Sequence, residues 1–546
     1  MKIEPISLMH ANPIARDYVQ RQERIAARYS GFPQEEAVWR KRVAYLTQGR
    51  ELAADRRELA AALAGYNRRI GNHPAALDQI EQLASPEALV VIGGQQAGLF
   101  TGPLLVIYKA ITILRQAREA AKRYQRPVIP VFWIAGEDHD LGEVNHIHLL
   151  RAGDQIQRLQ LAKQDHDRVS ISHLPISPED WQEVLRGLAQ SLPDTELKPG
   201  LIETLTSICR DSHTLSEAFA RIMARLFGAE GLVLIDSADP AIRRIEAPMW
   251  KQLILHNAEL HRAYLTAQEA LIKAGYHPQA EVHADSAHLF YYEDQKRLLL
   301  YRRGDGFADR FGQLRLTEEE LLQTAEEEPA KLSNNVLTRP LMQDYLFPVL
   351  AVVLGPGEIA YWAQLKEAFT CLGMEVPVIV PREGYTLVEP GDQKLLDRFG
   401  MTVEDVFRRL AEKREAWLRS QETFDVEEKF AAAAAQISGI YKPLIEQAGE
   451  VNAVMRSLGE ANLRRILAEV DYYRKRINAE IEAKHAAGLR QFDRLERALN
   501  PGGVPQERVY NVFAYLNRYG DGWLRALLAE HQPDPLDGAQ HHVVYL

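Results

Sequence analysis

Two short polar clusters of the chain directly follow apolar runs, and their residue types could do chemistry. The first, at 93–103, reads GGQQAGLFTGP and follows ALVVI; the second, at 136–140, reads GEDHD and follows VIPVFWIA. Apolar runs of this length are typical of buried parallel strands, and open α/β sheets bind ligands beyond the ends of such strands. Because carboxylates and an imidazole are costly to place there for stability alone, we interpret the second cluster as a ligand site.

The first cluster combines flexible backbone with amide side chains. Its glycines allow backbone N–H groups to approach a ligand, so we predict that they bind a cofactor: Gly93, Gly94 and Gly98. Substrate amides or sugar hydroxyls could bind to Gln95 and Gln96. A helix is predicted to start after Thr101 and Gly102, and its N-terminus suits a phosphate or a carboxylate. The pattern is neither a P-loop nor GxGxxG, so a tight turn with solvated glutamines stays open as an alternative.

The second cluster offers a general acid or base. An imidazole between two aspartates could transfer a proton during a reaction, so we predict Glu137, Asp138 and His139 as catalytic residues. Together with His146 and His148, the same side chains could instead bind Zn²⁺ or Mn²⁺. A structural network of hydrogen bonds is the third interpretation.

Two later motifs are rich in groups that recognise ligands. SNNVLTRP at 333–340 offers amides and a guanidinium, and GPGEIAYW at 355–362 places a carboxylate at a helix start with aromatic residues one turn on. We predict that six of these residues bind substrate: Asn334, Asn335, Arg339, Glu358, Tyr361 and Trp362. The alternative for Glu358 is a simple helix-start acid. Near the C-terminus, 505–508 and 515–520 are interpreted as a helix and its cap that pack against the body of the protein.

The elements that must position these residues form a strand–helix–strand unit. A strand at 88–94 is followed by a helix that Pro103 can open and that runs to about Tyr124, and the next strand starts at Pro127. Further core strands are predicted at 231–236, 347–354 and 376–380, and a long helix is predicted from Pro240 to about Ala274. Alternating residues at 279–315 predict a small antiparallel insertion.

From about residue 386 the sequence changes character. Apolar residues of 427–500 recur at steps of three and four among Ala, Glu, Lys and Arg, which predicts a coiled coil. We expect an antiparallel hairpin that turns near Ser457–Glu460, with Pro443 kinking the first arm or marking its start. A plain helical bundle is the alternative.

Composition excludes several classes of protein. The formal net charge of −10 argues against a nucleic-acid backbone as partner. Two cysteines, Cys209 and Cys371, are too few for a disulfide framework or a thiolate zinc site. The N-terminus lacks a basic stretch followed by an apolar one, and no apolar segment approaches a membrane span, so we expect a cytoplasmic protein.

Five motifs in this order closely resemble those of the bacillithiol biosynthesis cysteine-adding enzymes: GGQQAGLFTGP, PVFWIAGEDHD, SNNVLTRPLMQ, LGPGEIAYW and PQERVYN…YLNRYG. The resemblance spans the chain. It implies a Rossmann-like α/β core, similar to nucleotidyltransferases and class I synthetases, followed by a coiled coil that mediates homodimerisation. The implied division is a core at 1–385 with insertions at about 151–213 and 276–332, a coiled-coil domain at 386–500, and a C-terminal segment at 501–546 that packs on the core.

The resemblance also implies a reaction, in which cysteine is joined to the amine of glucosaminyl-malate to give bacillithiol. Because amide formation from a free carboxylate is uphill in water, we expect ATP with Mg²⁺ to activate the acid, although the HIGH and KMSKS signatures of class I synthetases are absent from this sequence. Our hypothesis places a substrate carboxylate near the helix start at 101–103 and near Arg339. His139 or Asp138 would deprotonate the amine, while Asn334 and Asn335 bind sugar hydroxyls or the amino acid.

Two other functions stay open at this point. The first is a metal-dependent hydrolase built on Asp138, His139, His146 and His148. The second is a non-enzymatic scaffold whose coiled coil recruits other enzymes of the pathway. Polar clusters at several predicted strand ends favour an enzyme over the scaffold.

Overall fold

A computed structural model describes residues 2–8, 11–48, 50–151, 155–162, 169–294, 296–422, 424–529 and 541–546. The chain divides into two compact units. The core unit contains 1–386 and 506–544, and the arm unit contains 387–505. No helix among the described residues combines the length and the apolar character needed to cross a membrane.

The strands, in chain order, are β1 (Lys2–Ile6), β2 (Leu89–Gln95), β3 (Val128–Ile134), β4 (His146–Leu150), β5 (Ile156–Gln160), β6 (Val233–Asp236), β7 (Ser286–Glu293), β8 (Lys296–Arg303), β9 (Gly306–Ala308), β10 (Arg315–Thr317), β11 (Leu332–Asn334), β12 (Val349–Leu354), β13 (Val378–Pro381), β14 (Gly384–Val388) and β15 (His541–Tyr545).

The helices, in chain order, are α1 (Pro13–Val19), α2 (Glu23–Ala26), α3 (Glu36–Thr47), α4 (Arg56–Arg69), α5 (Pro74–Leu83), α6 (Leu105–Tyr124), α7 (Leu141–Val144), α8 (Pro178–Ser191), α9 (Lys198–Arg210), α10 (Leu215–Phe227), α11 (Pro240–Ile245), α12 (Ala247–Leu255), α13 (Asn257–Lys273), α14 (Glu318–Glu327), α15 (Arg339–Leu346), α16 (Pro356–Trp362), α17 (Lys366–Cys371), α18 (Pro390–Phe399), α19 (Val403–Arg408), α20 (Leu410–Ser420), α21 (Val426–Val451), α22 (Ala453–Lys484), α23 (Ala486–Leu499), α24 (Phe513–Tyr519) and α25 (Gly522–Ala529).

The centre of the core unit is a five-stranded sheet of order β13-β12-β2-β3-β6. All its neighbouring pairs are parallel, so the carboxyl ends of the strands lie at one edge. The unit β2–α6–β3 confirms the predicted strand–helix–strand pattern, and β6, β12 and β13 confirm the three further core strands. Every residue of β3 and of β12 is buried, as expected for a parallel sheet covered on both faces.

Two sequence segments outside the central sheet differ in how well they were predicted. The antiparallel insertion is confirmed as a sheet of order β10-β9-β8-β7-β11. The single long helix from Pro240 to Ala274 is wrong, because three helices, α11, α12 and α13, occupy this stretch. Pro248 explains the first break: a proline is tolerated in the first turn of α12 but not in the interior of a continuous helix.

The arm unit contains the predicted antiparallel hairpin, formed by α21 and α22. Its pairing is fixed at both ends, because the rings of Phe430 and Tyr473 lie 5.7 Å apart and Ile445 packs against Gly459. The predicted turn at 457–460 is wrong. The chain reverses at Asn452, whose side chain accepts the N–H of Met455 and caps α22. Pro443 lies inside α21 and does not mark its start.

Candidate active site

A cavity of 590 Å³ lies at the carboxyl edge of the central sheet, where β2, β3 and β12 end. The residues that line it include Gly94, Gln95, Gln96, Lys109, Trp133, Glu143, Gln279, Val336, Arg339, Gly355, Gly357, Glu358, Tyr361, Arg382 and Arg508. A larger cavity of 760 Å³ lies among α9, α10, α24 and α25 and has a mainly apolar lining that contains none of the predicted site residues. The smaller cavity, which is lined by several of the predicted site residues, is therefore the candidate site.

Lys109 is the buried cation at the bottom of this cavity, and only 1% of its side chain is exposed. Its Nζ donates to the carbonyl of Gly94 at 2.7 Å, to Gln95 Oε1 at 3.0 Å and to Glu358 Oε2 at 2.5 Å. Burial lowers the pKa of Lys109, and the Glu358 carboxylate opposes this shift. Glu358 also accepts the N–H of Gly355 at the start of α16. Lys109 therefore joins the carboxyl end of β2 to the first turn of α16.

Arg339 contributes a second cation, and the partners that it contacts are neutral. Its guanidinium donates to Gln343 Oε1 at 2.8 Å and to the Tyr361 hydroxyl at 3.0 Å. It also lies 6.0 Å from the centre of the Trp133 ring. The indole Nε1 of Trp133 is buried and has no hydrogen-bond partner among the described residues. This wall of the cavity therefore offers a guanidinium whose direct hydrogen-bond partners are neutral, beside an indole N–H without a partner among the described residues.

The chain segment after the arm completes the cavity. Arg382, at the end of β13, makes a two-pronged ion pair with Glu507, with Nη1 3.0 Å from Oε2 and Nη2 2.5 Å from Oε1. The neighbouring Arg508 is exposed and lines the cavity. Asn511 donates to the carbonyls of Phe100 at 2.8 Å and Gly102 at 2.7 Å, which fixes this segment against the loop after β2.

The structure brings together part of the residues that were predicted from the sequence. Those that line the cavity are Gly94, Gln95, Gln96, Arg339, Glu358 and Tyr361. Those that lie outside its lining are Gly93, Gly98, Thr101, Gly102, Glu137, Asp138, His139, Asn334, Asn335 and Trp362.

The loop at 98–102 is occupied by protein rather than open to a ligand. Thr101 is fully buried, and the Phe100 ring packs edge-on against Phe513 at 6.2 Å. The two strand-end glycines have packing reasons of their own. A Cβ on Gly93 would lie 2.9 Å from the Ile113 side chain, and one on Gly94 would lie 2.8 Å from the carbonyl of Trp133. Glycine at position 93 is explained by the close approach of α6, and glycine at position 94 by the close approach of the neighbouring strand β3.

Glu137 sits in a buried network next to the cavity. Its Oε2 accepts from Arg243 Nη2 at 2.6 Å, from Ser333 Oγ at 2.8 Å and from the backbone N–H of Asn334 at 3.1 Å. Arg243 is itself shared with Glu246, and burial raises the pKa of Glu246 to about 7. Glu137 thus joins the loop after β3 to strand β11.

Asp138 and His139 do not line the cavity, but Asp138 contacts Gln96, which does. Asp138 Oδ2 accepts from Gln96 Nε2 at 2.6 Å, and its Oδ1 accepts the backbone N–H of His139 at 2.8 Å. Arg297 Nη1 lies 3.1 Å from His139 Nδ1. Because a guanidinium only donates hydrogen bonds, His139 Nδ1 is the acceptor, and the ring proton belongs on Nε2. Arg297 also donates to the carbonyl of Asn334 at 2.6 Å.

The geometry gives the metal-site interpretation no support within the described residues. No group of three or more His, Cys, Asp or Glu side chains there is arranged to bind a metal ion. His146 and His148 both lie on β4 with their rings perpendicular at 5.2 Å, and burial lowers the pKa of each.

Sequence reasoning missed several residues that line the cavity: Lys109, Trp133, Glu143, Gln279, Arg382 and Arg508. Arg382 had a usable signal, since it follows the last core strand as the other site residues follow theirs. Lys109 had a weaker one, a single lysine in the otherwise apolar stretch LLVIYKAITIL.

Comparison with known proteins covers the whole chain. Residues 1–383 match the model of the bacillithiol biosynthesis BshC N-terminal Rossmann-like domain, and 385–546 match that of the BshC C-terminal coiled-coil domain. Proteins named "Putative cysteine ligase BshC" from Geobacillus sp. (strain WCH70) and Geobacillus thermodenitrificans are 37% and 36% identical, over 100% of both chains. A third, from Lysinibacillus sphaericus, is 33% identical over the same share. The predicted Rossmann-like core and coiled coil are confirmed, and the chain belongs to the bacillithiol biosynthesis BshC family.

Proposed function

We propose that this protein is the cysteine ligase of bacillithiol biosynthesis, which joins the carboxylate of cysteine to the amine of glucosaminyl-malate. The observation that carries the proposal is the cationic cavity at the carboxyl edge of the sheet, in a chain that matches the family over its full length. Relatives that bear the ligase name include proteins that are 32–37% identical to it over the full length.

The charges of the cavity support a dicarboxylate as part of the substrate. Glu358 balances Lys109, and Glu507 balances Arg382. Arg339 and Arg508 have no carboxylate within ion-pair distance among the described residues. The malate group of glucosaminyl-malate carries two carboxylates, and a guanidinium suits each of them as a two-pronged partner.

The polar wall of the cavity suits the sugar. Gln95 and Gln96 are held by Lys109 and Asp138, so their remaining amide groups are available for hydroxyls. We assign Asp138, His139 and Glu137 to holding this loop in place. The Trp133 indole N–H is a further donor for a substrate oxygen. Asn334 has a buried amide without a partner among the described residues, and together with Asn335 we assign it to the amino-acid side of the site.

ATP with Mg²⁺ is proposed as the co-substrate that activates the cysteine carboxylate. Anionic phosphates are compatible with the cations of this cavity. We further propose that the reaction takes place in the cytoplasm, where ATP and cysteine are available.

A homodimer formed through the arm is part of the same proposal. The hairpin exposes large apolar side chains: Ile440, Leu444, Val451, Val454, Leu458, Tyr472 and Tyr473. Exposed apolar stripes on paired helices are typical of coiled-coil contacts between chains. Replacing Leu444 and Leu458 with glutamate should convert a dimer into a monomer in light scattering after size exclusion. A wild type that is already monomeric would contradict the proposed dimer.

The proposed reaction is tested by incubating the purified full-length protein with glucosaminyl-malate, cysteine and Mg-ATP. Mass spectrometry should detect bacillithiol together with a stoichiometric nucleotide product. AMP would indicate an adenylated cysteine and ADP an acyl phosphate. Absence of bacillithiol with all three substrates present would contradict the ligase function and favour the scaffold interpretation.

A further inference from the structure

A ligase that acylates an amine must remove a proton from it. An amino sugar is largely protonated near neutral pH, and only the neutral amine can attack an activated carboxyl carbon. A carboxylate or neutral imidazole within the cavity normally accepts this proton. In the proposed ligase reaction, one side chain of the cavity must therefore accept the proton of the amine.

The side chains of Glu137, Asp138 and His139, which follow β3, already have hydrogen-bond partners within the protein. Glu137 is buried and accepts from Arg243, Ser333 and the backbone of Asn334. Asp138 accepts from Gln96 on one oxygen and from the backbone N–H of His139 on the other.

His139 is also a poor proton acceptor in this arrangement. Its Nδ1 lies 3.1 Å from a guanidinium nitrogen of Arg297, and its Nε2 must therefore carry the ring proton. A second proton would have to bind to Nδ1 and would displace the hydrogen bond from Arg297, whose guanidinium shares the Asp138 carboxylate with this ring nitrogen. His139 is accordingly a hydrogen-bond donor.

Glu143 follows these residues closely in the chain, but its carboxylate is exposed and has no ion-pair partner among the described residues. It belongs to the short helix α7, which is fixed by the buried side chains of Leu141 and Val144 and leaves Glu143 exposed on the opposite side. Glu143 lines the cavity and makes no ion pair among the described residues. The other carboxylate in the lining, Glu358, is taken up by Lys109 and the N–H of Gly355.

We propose that Glu143 is the general base of the ligase, which binds the substrate ammonium group and accepts its proton. In this step the amine nitrogen forms a bond to the carbonyl carbon of an ATP-activated cysteine, and the bond from that carbon to the phosphoryl oxygen breaks. One proton passes from the ammonium nitrogen to the Glu143 carboxylate before the attack, and the second proton that the nitrogen loses on forming the amide passes to solvent. The phosphate or AMP leaves with the electron pair of the broken bond. The inference rests on the proposed ligase function, and it assigns a role that the strand-end clusters do not fill.

The test separates activation of cysteine from transfer to the amine. The full-length protein and its Glu143→Gln variant are each given cysteine and Mg-ATP with one of two nucleophiles, glucosaminyl-malate or hydroxylamine. Hydroxylamine is largely neutral at neutral pH and needs no base. Glu143→Gln should lower kcat for bacillithiol by about 10²-fold, the typical contribution of a general base, while cysteine hydroxamate forms at the wild-type rate.

A matched control is Glu183→Gln, which makes the same change at an exposed position of α8 outside the cavity and should alter neither rate. A variant that loses both reactions equally, or neither, would overturn the assignment of Glu143. If the wild type forms neither bacillithiol nor hydroxamate, the ligase function itself is wrong. Because Glu143 is exposed, the thermal melting curve of the variant should match that of the wild type.

Discussion

The core unit and the arm unit use charge in opposite ways. At the cavity, Lys109 is 1% exposed and has three acceptors, two at the end of β2 and one on α16. On the hairpin, Arg474 pairs with Glu427 at 2.5 Å and with Asp471 at 2.7 Å, but the Glu427 side chain is 60% exposed. Desolvated charges interact strongly and cannot be replaced by water, whereas exposed pairs contribute little. The chemistry should therefore depend on the core charges and hardly at all on those of the arm.

The two units also differ in the exposure of their apolar side chains, which are buried in the core unit and partly exposed in the arm unit. Four of the five strands of the central sheet, β3, β6, β12 and β13, are completely buried. The hairpin exposes residues such as Ile440 and Val451, and α22 has no buried residue. One unit is thus complete within a single chain, while the other presents an apolar surface to the outside.

The difference between the two units is tested by removing one positive charge from each of them. Lys109→Met should lower the rate of bacillithiol formation by about 10³-fold, the upper range for removing one preorganised electrostatic partner. It leaves the Glu358 carboxylate beside the cavity without its cation and frees the loop carbonyl of Gly94. The rate is measured by mass spectrometry at saturating substrates.

The matched change in the arm is Arg474→Met, which should leave the rate and the melting temperature close to those of the wild type. A similar loss of activity from both variants would show that the arm charges take part in the reaction. Retention of full activity by Lys109→Met would remove the cavity from consideration as the active site.

Arg508→Ala tests whether the segment after the arm takes part in substrate binding. Loss of one guanidinium partner for a carboxylate should raise the KM for glucosaminyl-malate about 10- to 100-fold, with little change in the KM for cysteine. Since Arg508 is exposed and makes no ion pair among the described residues, the variant should fold as the wild type does. Equal increases in both KM values would contradict its assignment to the malate group.

His288 allows the buried polar groups of the core to be tested by pH. It is buried with a left-handed φ of 58°, its Nε2 lies 3.0 Å from His261 Nδ1, and burial lowers its pKa to about 3. The unfolded chain, with a pKa near 6.5, binds more protons between these values, so stability must fall as the pH falls below 6.5. This residue alone should cost about 2 kcal/mol between pH 7 and pH 5.

The variant for this test is His288→Asn, because asparagine tolerates the left-handed conformation. Guanidinium unfolding followed by tryptophan fluorescence should show a difference in free energy between wild type and variant that shrinks by about 2 kcal/mol over this pH range. A difference that stays constant with pH would show that His288 is not neutral in the folded core.

The part of the site that follows strand ends could be predicted from the sequence. Gln95, Gln96 and Glu358 were found because a change from apolar to polar residues marks the end of a parallel strand. Lys109 could not be found in this way, since it lies inside a helix and reaches the cavity only through the packing of α6 on the sheet. Arg508 depends on a contact between segments that are distant along the chain, and no local pattern reports such a contact.

In the arm unit, too, the sequence predicts the elements but not how they contact each other. The periodic apolar residues predict the hairpin, but the turn expected near 457–460 lies instead at Asn452. Gly459 lies inside α22 and allows close packing of the two helices, because a Cβ there would come within 2.9 Å of the Ile445 side chain. Glycine in a helix can mark a close contact as well as a break, and only the partner helix distinguishes the two.

The two glycines of the hairpin helices provide a test that concerns the arm unit alone. Gly439 lies in α21 with no atom within 4 Å of its missing Cβ, so Gly439→Ala should stabilise the hairpin by about 0.5–1 kcal/mol through helix propensity alone. Gly459→Ala brings the same propensity but presses on the Ile445 side chain, so its gain should be smaller or reversed. Calorimetric unfolding of both variants decides the point. Equal stabilisation would mean that the two helices are not packed in this register, while activity should be unchanged in either case.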